Sequence, residues 1–120
     1  MDPPSYGRGK NGEVWQFENN ISDLVELCEQ VLSDNPLFFL INSYTTGISS
    51  TVLENILNLN IAKKYGGKVT NGEIGLPMLN SKLVLPCGIF GRWENCRDGD
   101  VSFRFICPFC ITEFYICNLK

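Results

Sequence analysis

The sequence predicts an α/β fold, the second half of a doubly wound sheet closed by an antiparallel hairpin. Three observations predict it. An amphipathic stripe over residues 20–33 runs straight into the continuously apolar Leu37-Phe38-Phe39-Leu40-Ile41. A second amphipathic stripe follows over residues 52–61, and two β-patterned runs punctuated by glycine close the order. The length of 120 residues fits one small domain. A hydrophobic content of 44% excludes a disordered chain, yet no apolar run is long enough to span a bilayer.

The first stripe carries Ile21, Leu24, Val25, Cys28, Val31 and Leu32 on one helical face, with Asn20 as its expected cap and Asp34-Asn35-Pro36 as its stop. The apolar run after that proline suits a strand covered on both faces, as in a parallel sheet. It ends in the polar Asn42-Ser43-Tyr44-Thr45-Thr46-Gly47, and in open α/β sheets the carboxyl ends of the strands are where ligands bind. The second helix places Val52, Leu53, Ile56, Leu57 and Ile61 in register, with Thr51-x-x-Glu54 as a capping box and Gly66-Gly67 as its end. Residues 68–76 and 83–90, joined through 77–81, read as an antiparallel pair.

Composition narrows the function. The net charge of −3 argues against a strongly electrostatic nucleic-acid binder acting alone, while leaving room for a few basic residues to touch phosphates. Histidine is absent, which removes the commonest general base and transition-metal ligand. The polar, proline-rich start is no secretory signal, and Cys28 and Cys87 fall in apolar surroundings typical of reduced thiols, so a cytoplasmic location is expected.

Asp2-Pro3-Pro4-Ser5-Tyr6 carries the chemistry. Proline lacks an N–H and has a fixed φ, so the carbonyls beside Pro3 and Pro4 are expected to stay out of a regular ladder and accept hydrogen bonds from a ligand. Asp2 adds a carboxylate acceptor, and Tyr6 a π-face on which a flipped-out base stacks. The same residues also make an ordinary proline turn at a frayed terminus. No strand precedes the motif in this sequence, so a floppy loop or the back part of something longer is expected. Gly7-Arg8-Gly9-Lys10-Asn11-Gly12 fits the letter of a dinucleotide fingerprint, but it follows prolines and runs into Glu13-Val14-Trp15 instead of opening a helix. A basic glycine-rich loop, with Arg8 and Lys10 on the phosphates of an RNA, is the alternative. Trp15 and Phe17 read as a staple packing this loop onto the first helix.

Four stretches together carry a family resemblance: Asp2 through Gly9, Leu40 through Gly47, Glu73-Ile74-Gly75-Leu76-Pro77, and Leu83 through Gly88 with Gly91-Arg92-Trp93. Residues 1–94 resemble the C-terminal half of bacterial class I S-adenosylmethionine-dependent methyltransferases, relatives of the large-subunit ribosomal RNA methyltransferases. The resemblance implies a partial Rossmann-like sheet in which Leu37–Ile41 is the fifth strand and the hairpin the sixth and seventh. It implies catalytic roles for Asp2, Pro3, Pro4 and Tyr6, substrate contacts from Arg8, Lys10, Asn42 and Tyr44, and S-adenosylmethionine as cofactor. The family's glycine-rich loop and ribose-binding acid have no counterpart here, so the cofactor-binding residues are unassigned and the chain alone is expected to be inactive or weakly active. Relatives that methylate carbon 5 of cytosine need a cysteine at the end of the fifth strand, where this chain has Asn42-Ser43-Tyr44; transfer to a nitrogen of an RNA base, or as a weaker alternative to a hydroxyl, fits better.

From about Asn95 the chain changes character. Residues 95–120 are apolar and aromatic, with Cys96, Cys107, Cys110 and Cys117, and have no counterpart in the family's ending. They read as an unrelated tail that adds a strand or stays exposed. A small zinc-binding or redox module is the competing reading, weakened by the single C-x-x-C, and an inactive remnant is the third. Self-association through an exposed sheet edge is expected.

Overall fold

The computed structural model describes residues 1–95, 102–106 and 113–117. The fold is mixed α/β with antiparallel sheets. Its centre is a three-stranded sheet in the order β3-β5-β4, built from β3 (Phe38–Ser43), β4 (Lys68–Pro77) and β5 (Val84–Glu94). A small hairpin, β1 (Tyr6–Arg8) with β2 (Val14–Gln16), precedes helix α1 (Phe17–Glu29), and helix α2 (Ser50–Leu57) lies between β3 and β4. Strands β6 (Ser102–Ile106) and β7 (Glu113–Cys117) pair antiparallel with each other. The single C-x-x-C of the tail lies outside the described residues.

Alternation along the strands sorts the sheet into two faces. Phe39, Ile41 and Ser43 of β3 stand opposite Trp93, Gly91 and Ile89 of β5, and these face the helices. Phe17, Ile21 and Val25 from α1, Leu53, Leu57 and Ile61 from the second helical segment, and Ile41 and Trp93 from the sheet form the buried core. Gly91 permits the close approach of α2: a Cβ there would lie 2.8 Å from that of Leu53. Trp93 is fully buried, and its indole N–H donates to the Gly66 carbonyl at 2.6 Å. On the opposite face Arg92 pairs with Glu94, and burial raises the Glu94 carboxyl above its ordinary range while Arg92 and Lys68 pull it back down.

Several expectations need correction. Leu37–Ile41 lies in and just before β3, which runs antiparallel to β5, and the expected covering of both its faces is not found, since Leu37 and Phe38 are exposed. A continuous apolar run by itself fixes neither coverage of both faces nor the partner's direction. Asn20 does not cap α1. The helix begins at Phe17, and the Asn20 side chain reaches back to accept the Gln16 N–H at 2.9 Å. Ser49, not Thr51, caps α2 by accepting the Thr51 N–H, and Glu54 turns instead to the Asn71 amide at 2.6 Å. The second helix also carries a π-helical stretch, Asn58–Ala62. There the Asn58 and Asn60 amides donate to the carbonyls of Glu54 and Ile56. Gly66 and Gly67, both at positive φ, end the segment where expected.

Candidate functional site

The N-terminal loop is held at the carboxyl end of β3 by its own backbone. The Met1 amino group donates to the Leu40 carbonyl, and the Met1 carbonyl accepts from the Asn42 N–H at 3.0 Å. One residue bonded to both neighbours of Ile41 is the pattern of a parallel bridge. It sets Asp2 beside the end of β3. Pro4 and Ser5 are fixed next: the Trp15 indole donates to the Pro4 carbonyl at 2.6 Å, and the Phe17 N–H donates to the Ser5 carbonyl at 3.0 Å. The Thr45 and Ser5 hydroxyls are 2.8 Å apart, while the Thr45 N–H donates to the buried Ser43 hydroxyl at 3.2 Å. Asp2 and Pro3 are thus bracketed between anchors on both sides, which goes against the first of the two alternatives, a floppy loop.

Two further details change the chemistry read from the sequence. The Pro4 carbonyl is not fully free for a ligand, because Trp15 takes one of its lone pairs; the Asp2 carboxylate, exposed at the surface, is the less encumbered acceptor. Tyr6 is half exposed and Arg8 lies over its ring, with the guanidinium Nε–H donating to the phenol oxygen at 2.7 Å. Strand alternation places Tyr6 and Arg8 on one face of the β1–β2 hairpin and Trp15 on the other.

Of the remaining residues singled out, Asn42 is half-buried and enters the loop contact through its backbone N–H. Tyr44 is exposed, with its ring against Gly88. Gly88 has φ +155, and a Cβ there would lie 2.6 Å from the Ser43 carbonyl and 2.8 Å from the Tyr44 ring. Lys10 stands exposed at the hairpin tip, apart from the Asp2 cluster. The Cys87 thiol donates to the Leu85 carbonyl at 3.3 Å within β5. Sequence reasoning did not assign Ser5, Ser43, Thr45 and Gly88, nor the role of Trp15 toward Pro4. For Trp15 the signal was present, since it alternates with Val14 and Gln16 around the hairpin.

The glycine-rich stretch is no dinucleotide cradle. It forms the tip between β1 and β2, where the Glu13 carboxylate accepts from both the backbone N–H and the side-chain amide of Asn11. These bonds lower the Glu13 pKa, the Glu13 backbone contributing most, and the carboxylate stands where an anionic ligand would compete. A Cβ on Gly9 would fall 2.2 Å from that carboxylate. Among the described residues this turn therefore offers no open glycine-rich cradle. Among them, no group of three or more Cys, Asp or Glu is placed to hold a metal ion.

One solved structure, the SAM-dependent methyltransferase from Agrobacterium tumefaciens, is similar to this chain with a TM-score of 0.70 and 30% identity, over 79% of this chain and 32% of its own. A second, named as a methyltransferase and complexed with SAH, has a TM-score of 0.46 and 21% identity over 78% of this chain and 24% of its own, and carries no argument. The chain thus spans about a third of the length of the first and a quarter of the second. No family profile and no curated protein matches it.

Proposed function

We propose that residues 1–94 form the base-holding end of a SAM-dependent methyltransferase that transfers a methyl group to a nitrogen of an RNA base, with ribosomal RNA as substrate and the cytoplasm as its location. The observation that carries this reading is the anchored Asp2-Pro3-Pro4 loop at the carboxyl end of β3. The likeness to the Agrobacterium enzyme supports the methyltransferase class. The parallel bridge at Met1 supports the finer kinship with class I enzymes, because in that family the strand ending just before the Asp-Pro-Pro loop lies beside the fifth strand. In this reading the Asp2 carboxylate accepts a hydrogen bond from an amino group of the base and orients its lone pair. Tyr6 stacks on the ring, and the methyl donor is S-adenosylmethionine. Photo-crosslinking with 4-thiouridine RNA tests the placement: crosslinks mapped to residues 2–8 or 42–45 support it, and crosslinks confined elsewhere overturn it.

Two expected outcomes follow for the chain by itself. Calorimetry with S-adenosylmethionine should show weak or no binding, because the family's glycine-rich loop and ribose-binding acid have no counterpart in this sequence; a micromolar dissociation constant would contradict this. The chain should also self-associate. Phe38 presents its main-chain groups to the same edge of β3 that Met1 occupies at Leu40 and Asn42, and no described residue pairs with them. Light scattering coupled to size exclusion, on the chain and on a version ending at Trp93, should show species larger than a monomer; cooperative monomers of both would refute the open edge.

A further inference from the structure

We infer that Arg8 is a positioning residue for the stacking ring of Tyr6, and not a contact to RNA phosphate; this deepens the RNA-base reading above and rests on it. Tyr6 and Arg8 are two residues apart on β1, so their side chains leave the same face of the hairpin. The guanidinium carbon lies 6.0 Å from the ring centroid, and the Nε–H is committed to the phenol oxygen at 2.7 Å. An exposed tyrosine otherwise exchanges among the staggered rotamers of its first side-chain torsion. Here two contacts of different kinds act on one ring. The hydrogen bond fixes the phenol edge and the cation sits at the hydroxyl rim of the ring, leaving the π-faces for a base. The hairpin that carries the pair is itself immobilised from its opposite face, where Trp15 binds the Pro4 carbonyl. Ring and Asp2 therefore belong to one braced unit. Lys10, at the tip of the hairpin, is exposed and is the other basic residue of the hairpin.

Two contributions separate in a salt titration of binding to a short, fluorescein-labelled single-stranded RNA. A lost phosphate contact lowers the slope of log affinity against log salt by about 0.7, whereas loss of a positioned stacking ring lowers affinity at every salt concentration alike. Arg8→Ala and Tyr6→Phe should each weaken binding by about fivefold with the slope unchanged, and the double variant should be no weaker than either single one. Tyr6→Ala should lose more than tenfold. Additive losses, or a slope reduced by Arg8→Ala, overturn the inference. Nitrogen-detected NMR of the Arg8 Nε–H reads the pairing without RNA: slowed exchange that is lost in Tyr6→Phe is expected. Exchange at the rate of a free guanidinium overturns the pairing. If the wild-type chain binds no RNA while that proton is protected, the RNA reading fails and the Tyr6–Arg8 pairing stands.

Discussion

Replacing Asp2 with Ala is expected to cut methyl transfer by a factor on the order of a hundred, the usual cost of removing one preorganised polar group from a reacting centre. The measurement calls for a chimera in which this chain replaces the segment it matches in the Agrobacterium methyltransferase. Asp2 has no structural duty that would confuse the result: it is exposed, and the anchors on either side run through the Met1 and Pro4 backbone. The loss should therefore fall on the rate of transfer while the melting temperature stays put. An unchanged rate would remove Asp2 from the reaction. Tyr6→Ala in the same chimera should be severe and Tyr6→Phe mild, because phenylalanine keeps the ring.

Trp93→Ala is expected to cost about 3–5 kcal/mol, enough to unfold much of a domain whose total stability is of order 5–15 kcal/mol. The indole is fully buried at the centre of the core, tilts against Tyr65 at 5.8 Å between centroids, and bonds the Gly66 carbonyl. Trp93→Phe keeps most of the apolar contact and loses the hydrogen bond, for about 1 kcal/mol. Urea denaturation followed by circular dichroism separates the two. Equal small losses for both would mean that Trp93 is not the keystone between the sheet and the second helical segment.

The hairpin of β4 and β5 was legible because proline, glycine and alternation act locally and leave a record in neighbouring residues. The two helical stripes were legible for the same reason. What was not legible depends on partners far along the chain. The direction of the strand beside β3 is fixed by residues 84–94, and the apolar run carries no sign of it. The π-helical stretch was hidden because Leu57 and Ile61 still keep helical spacing, and only the Asn58 and Asn60 amides report the altered ladder. In the candidate site, Asp2, Pro3, Pro4 and Tyr6 announced themselves by residue type. Ser5 and Thr45, 40 residues apart, did not: a serine and a threonine in polar loops are common, and only the fold brings their hydroxyls to 2.8 Å.

The central claim is that the anchored loop holds an RNA base for methylation at nitrogen, and the most direct measurement is transfer of a tritiated methyl group from S-adenosylmethionine to ribosomal RNA by the chimera. The expected result is label in the RNA, located on a base nitrogen after digestion and mass spectrometry, and abolished together with the anchored geometry by Trp15→Ala. A chimera that binds S-adenosylmethionine yet leaves the RNA unlabelled, or places the methyl group on carbon, would contradict it.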